Sequence, residues 1–216
     1  MGKRQSRAKK ALRGVRRRSA RVYLDGLEIA RGHDGLLRGR PEPVLVVGLF
    51  GVSERGVTLL ARDVVRWKVD AVPPLLRATR VDEGDVVRAR VLACDASHCV
   101  AVLIAIEADS GADVRSVFAS LERTDAWQLW GERESVPAPI ELGTLATAAP
   151  SSTEVLDAHL LLDGSDLRDQ LSADDLVGAV TVTFRDTGDA GTSVRARFLS
   201  DDGRNDWTAL VRLVHS

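Results

Sequence analysis

Short apolar runs, dense in valine and broken by glycine, aspartate and proline, recur along this chain. They are "ARVYLDGLEIA" (20–30), "PVLVVGLF" (43–50), "GVTLLARDVVRWKV" (56–69), "DVVRARVLAC" (85–94), "CVAVLIAIE" (99–107), "VLDAHLLL" (155–162), "GAVTVTF" (178–184), "TSVRARFL" (192–199) and "DWTALVRLV" (206–214). Runs this short, bounded by turn residues, predict strands. "TVTF" and "VRARF" alternate apolar with polar residues, as strands do when one face is buried and the other wet. "SDDGRNDW" (200–207), between the last two runs, reads as a hairpin turn.

One stretch departs from this pattern. "SGADVRSVFASLERTDAWQLW" (110–130) sets Val114, Val117, Phe118 and Leu121 at helical spacing, with Ser110 placed to cap the start and Trp127 and Trp130 at the end. Residues 131–153 hold three prolines among small residues and read as a loop. The expected class is mainly β: an antiparallel eight- to nine-stranded β-sandwich with one inserted helix near 110–131, all in one domain over residues 19–216. A composition that is 44% hydrophobic is sufficient to bury a core.

Charge is unevenly spread. Residues 1–22 carry ten basic residues (Lys3, Arg4, Arg7, Lys9, Lys10, Arg13, Arg16, Arg17, Arg18 and Arg21) and no acid, whereas the other 194 residues carry 20 basic and 31 acidic, a net of −11. Residues 1–18 have too few large apolar side chains to fold alone and read as a disordered tail. Such a segment meets a polyanion: anionic lipid, an acidic protein partner, or nucleic acid. It lacks the interleaved aromatics that single-stranded nucleic-acid sites use for stacking. Only four of the thirty basic residues are lysines, a bias that fits GC-rich bacterial coding. No apolar run is long enough for a membrane span or a secretory signal, so the expected location is cytoplasmic, with membrane association through the tail.

The chemistry-bearing residues are sparse. Cys94 and Cys99 bracket "DASH" between two strand-like runs, which reads as a β-hairpin with the thiols roughly opposite each other, free in a reducing compartment. With His98 and Asp95 they lack the two separated ligand pairs of a usual zinc site. There is no GxSxG, GxxxxGK[ST], HExxH or GxGxxG, and His33, His98, His159 and His215 show no triad spacing. The expectation is a non-enzymatic chain.

"LLDGSDLRDQLSADDLVGAV" (161–180) places a run of aspartates between two strands. Its end, Asp175-Leu176-Val177-Gly178, resembles the third calcium-binding loop of C2 domains, which closes on D-[IL]-[ILV]-G before a strand. Asp163 and Asp166 stand where the upstream aspartates of that loop would be. Near the N-terminus, "LEIARGHDGLLRGRPEPVLVV" is similar to the first C2 loop and the strand that follows it. Asp34 is placed as the loop acid, and Glu42-Pro43-Val44 replaces Asp-Pro-Tyr. The resemblance implies a C2-like sandwich in which Asp34, Glu42, Asp163, Asp166 and Asp175 converge as oxygen ligands for calcium. It departs from the pattern in the missing tyrosine, in the long spacing from Asp163 to Asp175, and in the central helix.

The functional expectation is a C2-like binding module. It would dock on an anionic membrane surface or a protein partner through Lys3, Arg4, Arg7, Lys9, Lys10, Arg13, Arg16, Arg17 and Arg18 together with the acidic loops, with calcium as the candidate cofactor. Two other classes fit the same residues. One is an assembly protein whose tail binds nucleic acid or a partner; the other is a hydrolase whose carboxylates hold a catalytic metal. Asp, Gly and Ser also favour turns on their own account, and exposed carboxylates are well hydrated.

Overall fold

The structure is a computed structural model. It describes residues 20–32, 42–53, 56–67, 79–81, 89–90, 98–109, 111–123, 127–131, 138–141, 154–163, 165–171, 175–185 and 192–215. The tail over residues 1–18, and with it all nine predicted polyanion-binding residues, lies outside them, as do Asp34, Cys94 and the capping residue Ser110.

The chain is mainly β, as its apolar runs predict, and its sheets are antiparallel and open. The strands are β1 (Ala20–Arg31), β2 (Pro43–Ser53), β3 (Gly56–Arg66), β4 (Thr79–Val81), β5 (Ala89–Arg90), β6 (His98–Glu107), β7 (Trp127–Gly131), β8 (Ala138–Glu141), β9 (Glu154–Leu162), β10 (Ser165–Asp166), β11 (Asp175–Arg185), β12 (Thr192–Leu199) and β13 (Asp206–His215). Two helices, α1 (Ala112–Ser120) and α2 (Leu167–Gln170), complete the described elements. A five-stranded sheet has the order β12-β13-β1-β4, with β5 also on β1; an eight-stranded sheet has the order β3-β2-β6-β11-β9-β7-β8, with β10 on β9. The strands therefore outnumber the eight or nine expected, because short pairings such as β4, β5, β8 and β10 leave little trace as apolar runs.

Side-chain alternation explains how the two sheets share a core. Leu24, Leu27 and Ile29 of β1, Ala196 and Phe198 of β12, and Trp207, Ala209 and Val211 of β13 point one way. They form a single cluster with Leu45, Val47 and Leu49 of β2, Ala101, Leu103 and Ala105 of β6, and Val180 and Val182 of β11. The central strands of the larger sheet are buried on both faces, which is why "PVLVVGLF" and "CVAVLIAIE" are almost unbroken apolar runs. Their opposite face, through Val44, Val46, Phe50, Val102, Ile104 and Ile106, forms a second cluster with Val114, Val117 and Leu121 around α1, and with Leu160, Leu162 and Leu167. β9 joins these regions by pairing with β11 over Glu154–Asp157 and then with β7 over Ala158–Leu162.

Four local expectations are corrected. The helix stops at Ser120, with Leu121 as its C-cap, and is capped at its start by Gly111 at φ 69° with no side-chain bond. Trp127 and Trp130, read as the end of a longer helix, lie in β7, paired with Leu162 and His159 of β9. The loop read over 131–153 contains β8, which pairs with β7. Finally, the strand before Cys94 and the strand after Cys99 do not form a hairpin. β5 pairs with β1, while β6 has β2 on one side and β11 on the other, so that Cys99 lies opposite Gly51 and Phe184.

Candidate functional site

Antiparallel pairing brings Glu42, Asp163, Asp166 and Asp175, four of the five predicted acidic positions, to one end of the molecule. Glu107, at the end of β6, pairs with Pro43 at the start of β2 and with Asp175 at the start of β11. β9 runs towards the start of β11, since Thr183 pairs with Glu154 and Val180 with Asp157, so Leu162 and the following Asp163 also lie at that end. In the five-stranded sheet, Arg31 of β1 and Leu199 of β12 both pair with Asp206. An ion pair between Arg168 of α2 and Asp201 in the β12–β13 turn ties this end of the smaller sheet to the larger one.

Gathering carboxylates at one end is different from making a ligand set. Asp163, in a left-handed turn at φ 55°, forms an ion pair with Arg123 just beyond α1. Asp166 caps α2: its Oδ1 accepts the Arg168 backbone N–H at 2.8 Å. Glu42 is exposed, and its ordered contacts are through the backbone: its N–H donates to Glu107 Oε1 at 2.6 Å and its carbonyl accepts the Ala108 N–H at 3.1 Å. Asp175 begins β11, so that Asp175-Leu176-Val177-Gly178 lies inside the strand, with a register shift between Leu176 and Gly178. A Cβ on Gly178 would meet that of Phe198 at 3.4 Å, an ordinary contact, so the approach of β12 does not by itself demand the glycine. The side chain of Asp175 and all of Asp34 lie outside the described residues. Among the described residues no group of three His, Cys, Asp or Glu side chains is placed to hold a metal ion.

Asp206 and Asp202 of "SDDGRNDW", which is dense enough in carboxylates for a cation but reads first as a turn, and Asp25 are held by other partners. Asp206 accepts Arg197 Nε at 2.9 Å and Nη2 at 2.8 Å, with Arg31 Nη2 at 3.4 Å, and Arg197 holds its carboxyl below the usual aspartate range. Asp202 accepts the Ser200 hydroxyl at 2.7 Å and the Arg204 backbone N–H at 2.9 Å, which lower it likewise. With Gly203 at φ 67°, these bonds close the predicted β12–β13 hairpin turn. On the outer face of the smaller sheet, Asp25 accepts Arg212 Nε at 2.7 Å and Nη2 at 2.8 Å, lowering Asp25 and raising Arg212. The Arg212 guanidinium also lies 4.7 Å from the Tyr23 ring centroid. Glu28 takes Arg195 across the intervening strand β13. Glu107 is buried, and its only sequence signal is a charge closing the run "CVAVLIAIE".

The first described residue, Ala20, pairs with His215, while Arg31 at the other end of β1 pairs with Asp206. At roughly 3.3 Å per residue, β1 puts about 35 Å between its two ends. Ala20 therefore lies at the end of β1 opposite to Asp206.

Comparison with protein families, curated proteins and solved structures finds no match.

Proposed function

We propose that the chain is a non-enzymatic binding module that docks on an anionic membrane surface through its basic N-terminal segment, without requiring calcium. The observation that carries this reading is the charge segregation: ten basic residues and no acid over residues 1–22, against a net of −11 over the rest. A cluster of that size is attracted to anionic lipid by around 1 kcal/mol per basic residue near the surface. Among the described residues no helix is long and apolar enough to cross a membrane.

Geometry favours the basic segment over the acidic loops as the docking element. Ala20 lies about 35 Å along β1 from Arg31, so the basic segment joins the fold away from the end that carries Asp163 and Asp166. Calcium at that end would compete with Arg123 for Asp163 and share Asp166 with the Arg168 N–H. The C2-like sandwich remains the architectural part of this proposal. Two antiparallel sheets sharing one core support it, and the extension through β9, β7 and β8 departs from it.

Flotation with phosphatidylcholine vesicles, with and without phosphatidylserine, tests the reading. Binding is expected only with phosphatidylserine, falling as salt rises and equal in calcium and in EDTA. Binding that appears only with calcium would return the function to the acidic loops. Binding to nucleic acid with none to vesicles would favour the assembly reading.

A further inference from the structure

The outer face of the five-stranded sheet displays arginines above recessed carboxylates. Strand alternation places Ser193, Arg195, Arg197 and Leu199 of β12 on this face, beside Arg212, Leu210 and Thr208 of β13 and Tyr23, Glu28 and Arg31 of β1. The paired charges are unequal in depth. Arg195 is 61% exposed over Glu28 at 33%, and Arg197 61% over Asp206 at 12%. Arg31 is 53% exposed, and Arg212 38% over Asp25 at 32%. Among the described side chains of this face, four guanidinium groups stand against three carboxylates, a local net of +1 on a chain whose residues 23–216 are net negative. Beside Arg197, Leu199 is the exposed large hydrophobic residue among those described, at 47%. Both helices contact strands of the other sheet.

We infer that this face lies flat against the anionic membrane, so that Arg195, Arg197, Arg31 and Arg212 meet lipid phosphates while Leu199 enters the headgroup layer. The inference rests on the docking role proposed above and adds to it the surface and the orientation. Charge complementarity selects the face, and β1, which continues the basic N-terminal segment, is one of its strands. Arginine binds phosphate through a planar fork of donors, and a leucine beside it suits the boundary between headgroups and acyl chains. The described face offers no exposed aromatic ring for base stacking, and Tyr23 sits against Arg212. A lipid surface is thus the better fit than a single-stranded nucleic acid.

The test uses the full chain and vesicles of phosphatidylcholine with phosphatidylserine. Arg195→Gln is expected to weaken partitioning by about fivefold, the effect of one basic residue near the surface, and adding Leu199→Ser weakens it further. Ser193→Glu, which removes no ion pair, weakens it too and guards against a fold defect in the first variant. Arg115→Gln, on the exposed side of α1, leaves it unchanged. Parent-like binding by both Arg195→Gln and Ser193→Glu, or an equal loss in Arg115→Gln, would overturn the orientation while leaving docking intact. If the parent chain binds no vesicle, the docking role falls and the orientation falls with it.

Discussion

Arg197 and Asp206 face each other across the last hairpin, with Nε and Nη2 of the guanidinium on the two oxygens of the carboxylate at 2.9 and 2.8 Å. Arg31 joins from β1, so one recessed carboxylate fastens three neighbouring strands at one end of the smaller sheet. Asp206→Ala is expected to cost about 1.5–3 kcal/mol, the range for hydrogen bonds to charged groups. The exposed guanidinium left behind is hydrated, which keeps the loss below that of breaking a fully buried pair. Urea unfolding measures it.

Acid should loosen the same sheet. Asp25, Asp202 and Asp206 all have carboxyls lowered in the folded state, chiefly by Arg212, the Ser200 hydroxyl and Arg197 respectively. A depressed folded value means that the unfolded chain binds protons first as pH falls. The stabilisation is therefore full above the ordinary aspartate value, near 3.9, and is lost as pH drops through and below it. Thermal midpoints recorded from pH 6 down to about pH 3 should decline, and Asp206→Asn should flatten part of that decline. A midpoint independent of pH over this interval would contradict the ion-pair assignments.

Phe198 and Leu199 are adjacent in sequence and opposite in fate. Phe198 is 1% exposed in the shared core, whereas Leu199 is 47% exposed on the outer face. Phe198→Ala should cost about 3–5 kcal/mol through the cavity it leaves, and Leu199→Ala should stay within roughly 0.5 kcal/mol of the parent. Denaturant titration of the two variants checks the register of β12, because a one-residue slip would exchange the two effects.

These contrasts show what was legible in the residues. "VRARF" announced both the inward set of Val194, Ala196 and Phe198 and the outward arginines, because period-two alternation is local. "DDGRN" announced its turn for the same reason. Trp127 and Trp130 misled because an i, i+3 pair looks helical, and pairing with β8 and with β9, some thirty residues later, makes β7 extended. The Cys94–Cys99 hairpin failed because β6 takes its neighbours from β2 and β11, which are distant in the chain. For Glu42, Asp163, Asp166 and Asp175, a shared end of the molecule was suggested by the resemblance; the Arg123 side chain that holds Asp163 was not. Arg195 with Glu28 and Arg212 with Asp25 are separated by 167 and 187 positions, respectively, and nothing local marks such pairs.

Asp163 and Asp166 supply a test of the calcium question. If their carboxylates serve Arg123 and the start of α2, millimolar calcium should leave the thermal midpoint where EDTA leaves it, since a ligand raises the midpoint only by binding the folded state. Asp166→Ala should still lower it, by the loss of a cap worth about 1 kcal/mol. A rise in calcium that Asp163→Ala abolishes would instead make these residues ligands.

The central claim is that basic residues upstream of β1 hold the molecule to an anionic surface. Vesicle flotation of the full chain carrying Gln at Arg13, Arg16, Arg17 and Arg18, beside the parent, tests it most directly. The account predicts that the variant keeps the parent's thermal midpoint and loses most of its binding to phosphatidylserine vesicles in both calcium and EDTA. Undiminished binding by the variant would contradict it.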